Sequence, residues 1–282
     1  MTGDETALLP AGDLVFGRYE REATLPYALH RVDSARHLLV SFPALTAASA
    51  QPLVEVGRYL GDLHCHRLYV GADEQFYVGP DGTLVGATAA VHLIWREARR
   101  LGIDERDVVC IGSSFRALCA LYIGLKSRSG LVVAGAPPAR MGRWIAKLVQ
   151  GSAPGRHAHN LRHAIAAVAG VGETPESQRA LDRILPRAIA RATHEADIHT
   201  FVSPQDTVYP EGTWLHDQLA GHPSLRSHLA LADYGDHSQI KVPFYRYVRS
   251  IVRQTIAARP QPTATEEARS AGHLRHRDAQ RR

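Results

Sequence analysis

Three residues of this chain could do chemistry together: Ser114, Asp206 and His237. Ser114 lies in DVVCIGSSFRALCALYIG, Asp107 to Gly124, where a short β-branched run stops at Gly112 and a helical pattern follows at once. A buried strand that turns sharply into a helix holds the corner residue in a strained conformation. Its side chain stands exposed above the sheet, with a helix N-terminus beneath it, which is the arrangement of a nucleophile elbow. Small residues two positions either side let strand and helix approach closely. Gly112 supplies the first, but position 116 carries Arg116, with the small Ala117 one step later. Ser113 as nucleophile would be flanked by Ile111 and Phe115, a poorer fit. A serine here could equally cap the helix that begins after Gly112.

A serine hydroxyl is almost wholly protonated at neutral pH, so the elbow is inert without a base. Sixteen histidines make some partner easy to find by chance, so position has to discriminate. His237 sits in the polar loop ADYGDHSQ, after a strand ending near Leu231 and just before the last helix. His194, His199, His216, His222 and His228 fall in helices, strands or a more distant turn. An orienting acid belongs after the preceding strand, where VSPQDTVYP places Asp206; its carboxylate would fix the imidazole tautomer and stabilise the imidazolium. Asp233 and Asp236 are rivals that share the loop of His237 and suit turn formation. Other roles stay open: Asp206 as an Asx-turn residue beside Pro204, His237 as a surface loop residue. An oxyanion formed at Ser114 needs two backbone donors. Phe115 would give the first, and Phe42 or Ala44 the second, because Pro43 between them has no N–H.

Elements in the right order must position these loops. HLLVSFPAL (37–45) is a near-continuous apolar run of strand length, and GDLHCHRLYV (61–70), GLVVAGA (130–136), DIHTFV (197–202) and the segment 225–231 are further strand candidates. Helical patterns fall at 85–101, stopped by Gly102, at 211–219 and at 239–256, while 13–29 suits edge strands broken by Gly17 and Pro26. Strands alternating with helices predict a mainly parallel sheet flanked by helices. Residues 139–192 show no convincing strand and are expected to form a helical lid insertion over the active edge of a single domain spanning 1–258.

Length and composition allow a sizeable core: 282 residues, 45% hydrophobic. The net charge of +5 is concentrated in 259–282, which lacks apolar periodicity and is expected to be a disordered basic tail. A basic stripe interleaved with aromatics on a folded face is not evident, so no nucleic-acid partner is expected. Cys65, Cys110 and Cys119 have no paired spacing and suit a reducing compartment. The acidic N-terminus is unlike a signal peptide, and no run approaches the roughly 18 apolar residues of a membrane span. A cytoplasmic protein is expected. His64 and His66 flank Cys65, but alternation on a strand without further ligands suggests two side chains on one sheet face rather than a metal site. GVGET (170–174) lacks the strand and lysine of a phosphate loop, and no cofactor is expected.

The segments GSSFRALCALYIGL, LVVAGAP, VSPQD and DYGDHSQI, together with HLLVSFPAL and HCHRLYVGADEQFYVG, resemble the bacterial α/β-hydrolase-like family annotated for capsular polysaccharide biosynthesis and accessory secretion. The resemblance runs from about Val15 to Ile256. It implies an α/β-hydrolase fold with Ser114, Asp206 and His237 at the nucleophile, acid and base positions. It implies serine-dependent acyl transfer on a small-molecule or glycan ester. Arg116 departs from the glycine of the family's elbow. Its guanidinium fork suits an anchor for an anionic substrate group, or it points away along the helix.

Overall fold

The computed structural model describes residues 13–21, 24–42, 51–71, 84, 86–144, 146 and 174–258. Among them, eight strands form one sheet: β1 (Leu14–Glu20), β2 (Thr24–His30), β3 (Leu38–Ser41), β4 (His66–Val70), β5 (Val108–Ser113), β6 (Leu131–Gly135), β7 (Ala196–Val202) and β8 (Leu225–Leu231). Their order is β1-β2-β4-β3-β5-β6-β7-β8. β1 pairs antiparallel with β2 and β2 with β4; every other pairing is parallel. The near-continuous apolar runs of β3, β5 and β6 are explained by burial on both faces, because helices cover each side of the sheet.

One face carries α2 (Ala87–Leu101), α3 (Phe115–Ser127), α4 (Pro175–Asp182), α5 (Ile184–Ala190) and α6 (Tyr209–Ala220). The other carries α1 (Gln51–Leu60) and α7 (Lys241–Ala258). α2 ends where Gly102 takes φ 68°, a conformation that glycine adopts without steric penalty. α1 was not legible in the sequence, and the strand expected over 61–70 begins only at His66. Arg67 explains the delay. Its fully buried guanidinium donates to the carbonyls of Leu60, Gly61 and Leu63, and its other arm meets His30 Nδ1 at 3.0 Å. The turn over 61–65 therefore folds around a cation that caps the negative end of α1. His64 lies in that turn, so the two histidines do not alternate on one strand. His66 is buried, accepting from Val32 N–H at 3.2 Å with Nδ1 and facing the Ala35 carbonyl at 3.1 Å with Nε2.

Within the expected insertion, residues 145 and 147–173 lie outside the described residues, as do Ala44 and the tail 259–282. The described part divides in two: a turn of helix at 141–144 sits beside the C-terminal ends of the strands, and α4 and α5 pack on the sheet's flank. Leu181, Ile184, Leu185 and Ile189 join the same core as α2 and α3.

β7 and β8 carry His199 and His228 with stacked rings 4.4 Å apart, and His199 Nδ1 lies 2.8 Å from Tyr247 Oη. Burial, with His228 beside it and against the pull of Asp197, pushes His199 down to about 4. The folded state thus holds His199 neutral while the unfolded chain protonates it near 6.5. Stability from this group is present above 6.5 and is lost as pH falls from there to about 4. Urea titrations at pH 7 and pH 5 should show a smaller loss for His199→Gln than for the wild type; an equal loss would contradict this placement.

Candidate active site

Ser114 is the corner between β5 and α3, with φ 58° and ψ −129°. A residue bearing a Cβ reaches this region only under strain, of order 1–3 kcal/mol. The surroundings hold it there. Its N–H donates to the Gly135 carbonyl at 2.8 Å, and its carbonyl accepts from Ala117 N–H at 2.9 Å. A Cβ on Gly112 would lie 2.2 Å from the Arg116 carbonyl oxygen, so only glycine lets the first turn of α3 sit this close to β5. The close approach is between Gly112 and the backbone of residue 116, and it leaves the half-buried Arg116 side chain accommodated. The Ser114 hydroxyl makes no capping bond to the helix. It meets His237 Nε2 at 2.9 Å.

His237 opens a short 3₁₀ turn, His237–Gln239, capped by Asp236, whose carboxylate accepts from Ser238 N–H at 2.8 Å. That bond makes Asp236 a turn former, and Asp233 is exposed. Asp206 is buried, and both of its oxygens lie 3.1 Å from His237 Nδ1. One oxygen also accepts from Val208 N–H and the other from Tyr234 Oη, each at 2.9 Å. The Asx-turn and the contact with histidine thus belong to the same carboxylate. Burial alone would raise the Asp206 carboxyl, but the hydrogen bonds from His237, Val208 and Tyr234 outweigh it and hold the group below its ordinary range. An ionised carboxylate can only accept. Nδ1 must therefore carry the proton, which leaves the Nε2 lone pair facing the Ser114 hydroxyl.

Two neighbours of this chain of contacts were not singled out in the sequence. Tyr234 is buried and its ring stacks on Phe201, which in turn packs against Phe244 and Tyr247. Only its place two residues before Asp236 could have hinted at a role. Trp144, from the turn after β6, brings its indole to 6.0 Å from the His237 ring. Phe42 is fully buried at the end of β3, and Phe115 is the first residue of α3, whose leading N–H groups have no acceptor within the helix. Tyr234→Phe should remove a hydrogen bond to a buried charge and cost about 1–3 kcal/mol. Urea denaturation would measure the loss, and a variant as stable as the wild type would show that the Tyr234 hydroxyl does not support Asp206.

No protein-family model and no curated protein matches the sequence. Solved structures do. An esterase of Pyrobaculum calidifontis superposes with a TM-score of 0.63 at 12% identity, over 90% of this chain and 88% of that one. EstE1, a carboxylesterase cloned from a metagenomic library, gives 0.65 at 11%, over 92% and 93%. The fold is the α/β-hydrolase fold. A third neighbour, from the glycosylation-associated protein (Gap123) complex of Streptococcus agalactiae, gives 0.65 at 14% identity over 86% of this chain. This protein spans only 46% of that longer chain. In the α/β-hydrolase frame, Ser114, Asp206 and His237 occupy loops at the C-terminal ends of β5, β7 and β8, the edge where open α/β sheets bind ligands.

Proposed function

We propose that this protein is a serine hydrolase or acyl transferase that acts on an ester through Ser114, His237 and Asp206. The observation that carries the reading is the 2.9 Å contact between His237 Nε2 and the hydroxyl of a serine held at positive φ. His237 takes the proton as Ser114 Oγ bonds to the ester carbonyl carbon. It returns that proton to the leaving alcohol as the C–O bond breaks, and an acyl-enzyme results. Water or an acceptor hydroxyl then attacks the acyl group, His237 takes its proton, and Ser114 leaves with that proton restored. Asp206 holds the imidazole tautomer and stabilises the imidazolium. The Phe115 N–H, with that of Phe42 or Ala44, receives the oxyanion. Arg116 anchors an anionic group of the substrate. The helical turn at 141–144 forms part of a lid over the site, for which the approach of Trp144 to His237 is the support. The chemistry asks for no cofactor.

The esterase neighbours support the hydrolase class, and the Gap123 neighbour supports a glycosylation setting. Free, buried cysteines fit the cytoplasm, and among the described residues no helix is long and apolar enough to cross a membrane. The Gap123 neighbour also favours a second reading, a non-catalytic partner in such a pathway. Turnover of short acyl esters separates the two. The catalytic reading expects saturable hydrolysis with an initial burst of alcohol; a rate no greater than that of buffer would leave only the partner role.

A further inference from the structure

The chain that leaves β6 is tied down before it reaches Trp144. Arg140 gives three hydrogen bonds to the buried carboxylate of Glu211, in the first turn of α6: from its backbone N–H and its Nε at 2.9 Å each, and from Nη2 at 3.0 Å. The same guanidinium lies 4.8 Å from the centre of the Trp214 ring. A second carboxylate, Asp182 at the end of α4, accepts from the N–H groups of Gly142 and Arg143, the latter at 3.0 Å. A Cβ on Gly142 would lie 2.1 Å from the Gln178 carbonyl oxygen, so the turn is pressed against the backbone of α4. Trp144 follows at once, and its N–H donates to the Arg140 carbonyl at 3.0 Å.

Two carboxylates on separate helices thus take their hydrogen bonds from one short turn. Burying a charge is costly unless it is paired and hydrogen-bonded, and Arg140 supplies both conditions for Glu211. The start of α6 also holds Asp206, whose carboxylate accepts from Val208 N–H, while Glu211 N–H donates to the Val208 carbonyl. One helix start therefore fixes both the partner of His237 and the turn that bears Trp144. The half-buried indole packs against both layers of the core, with its ring centre 6.0 Å from that of His237.

A place beside the base decides which part of an ester the indole can meet. The acyl group is bonded to Ser114, whereas the leaving alcohol, and later the acceptor hydroxyl, must come within hydrogen-bond reach of His237 Nε2. We propose that Trp144 is a specificity-determining residue that packs against the alcohol side of the ester, and that the Arg140–Glu211 pair positions it. This inference rests on the ester chemistry at Ser114. The substrate class it names is an ester whose alcohol carries a ring or another apolar face for the indole to cover.

Cyclohexyl acetate and methyl cyclohexanecarboxylate carry the same ring on opposite sides of the ester, so steady-state kinetics on the two tests it. Trp144→Ala should raise KM for cyclohexyl acetate about fivefold more than for methyl cyclohexanecarboxylate, the effect of losing about 40 Å² of apolar contact. Replacing Arg140 alone would strand a buried carboxylate and endanger folding, so the pair is replaced together. Arg140→Met with Glu211→Leu should shift the KM ratio in the same direction, with no further shift when Trp144→Ala is added. Equal effects of Trp144→Ala on the two esters, or a larger effect on methyl cyclohexanecarboxylate, would overturn the specificity role. An unaltered ratio in the folded Arg140→Met/Glu211→Leu protein would overturn the positioning role. Absence of wild-type turnover on both esters would instead count against the ester chemistry itself, and this proposal would fall with it.

Discussion

Ester turnover should fall at least about 10⁴-fold in Ser114→Ala, equivalent to about 5 kcal/mol of transition-state stabilisation. The change deletes only Oγ, the atom that His237 Nε2 meets at 2.9 Å. Background turnover from the oxyanion donors and binding alone sets the floor. Folding is a separate matter and can be read separately. Alanine keeps the Cβ that makes φ 58° unfavourable, whereas glycine does not. Ser114→Gly should therefore be more stable than Ser114→Ala by about 1 kcal/mol, with both inactive. Steady-state kinetics on a short acyl ester, alongside urea denaturation of all three proteins, would measure both effects. Unchanged kcat in Ser114→Ala would remove the nucleophile from the account.

Asp206→Asn should cost about 10⁴-fold in kcat with little change in structure. The reason is the tautomer. An ionised carboxylate 3.1 Å from Nδ1 obliges that nitrogen to carry the proton, and the amide of asparagine can donate to Nδ1 instead. Nε2 would then carry the proton and present N–H to Ser114, unable to accept from the hydroxyl. The two other contacts of residue 206, with Val208 N–H and Tyr234 Oη, give the side chain reason to stay in place. Circular dichroism should match the wild type while kcat collapses. Near-normal kcat would show that Asp206 does not set the base.

Much of this architecture was legible because the signals were local. β5 and β6 are short, near-continuous apolar runs, and Gly102 marks the end of α2 at the position where φ turns positive. Ser114, Asp206 and His237 were nameable from their order and from the loops they occupy, and their hydroxyl, imidazole and carboxylate groups lie in contact. What was not legible depended on partners distant in sequence. α1 and the late start of β4 follow from the burial of Arg67 among the carbonyls of 60–63 and His30, which no window of sequence contains. Arg116 looked like a fault in the elbow, yet the tight approach at Gly112 is to its backbone. Tyr234 carried no pattern of its own until Asp206 was placed beside it.

The central claim is that Ser114 is an activated nucleophile. Incubation of the folded protein with a fluorophosphonate probe, followed by peptide mass mapping, tests it most directly. Stoichiometric phosphonylation at Ser114, lost in Ser114→Ala and strongly slowed in His237→Ala, is the predicted result. A folded protein that stays unlabelled, or a label that maps to another residue, would contradict it.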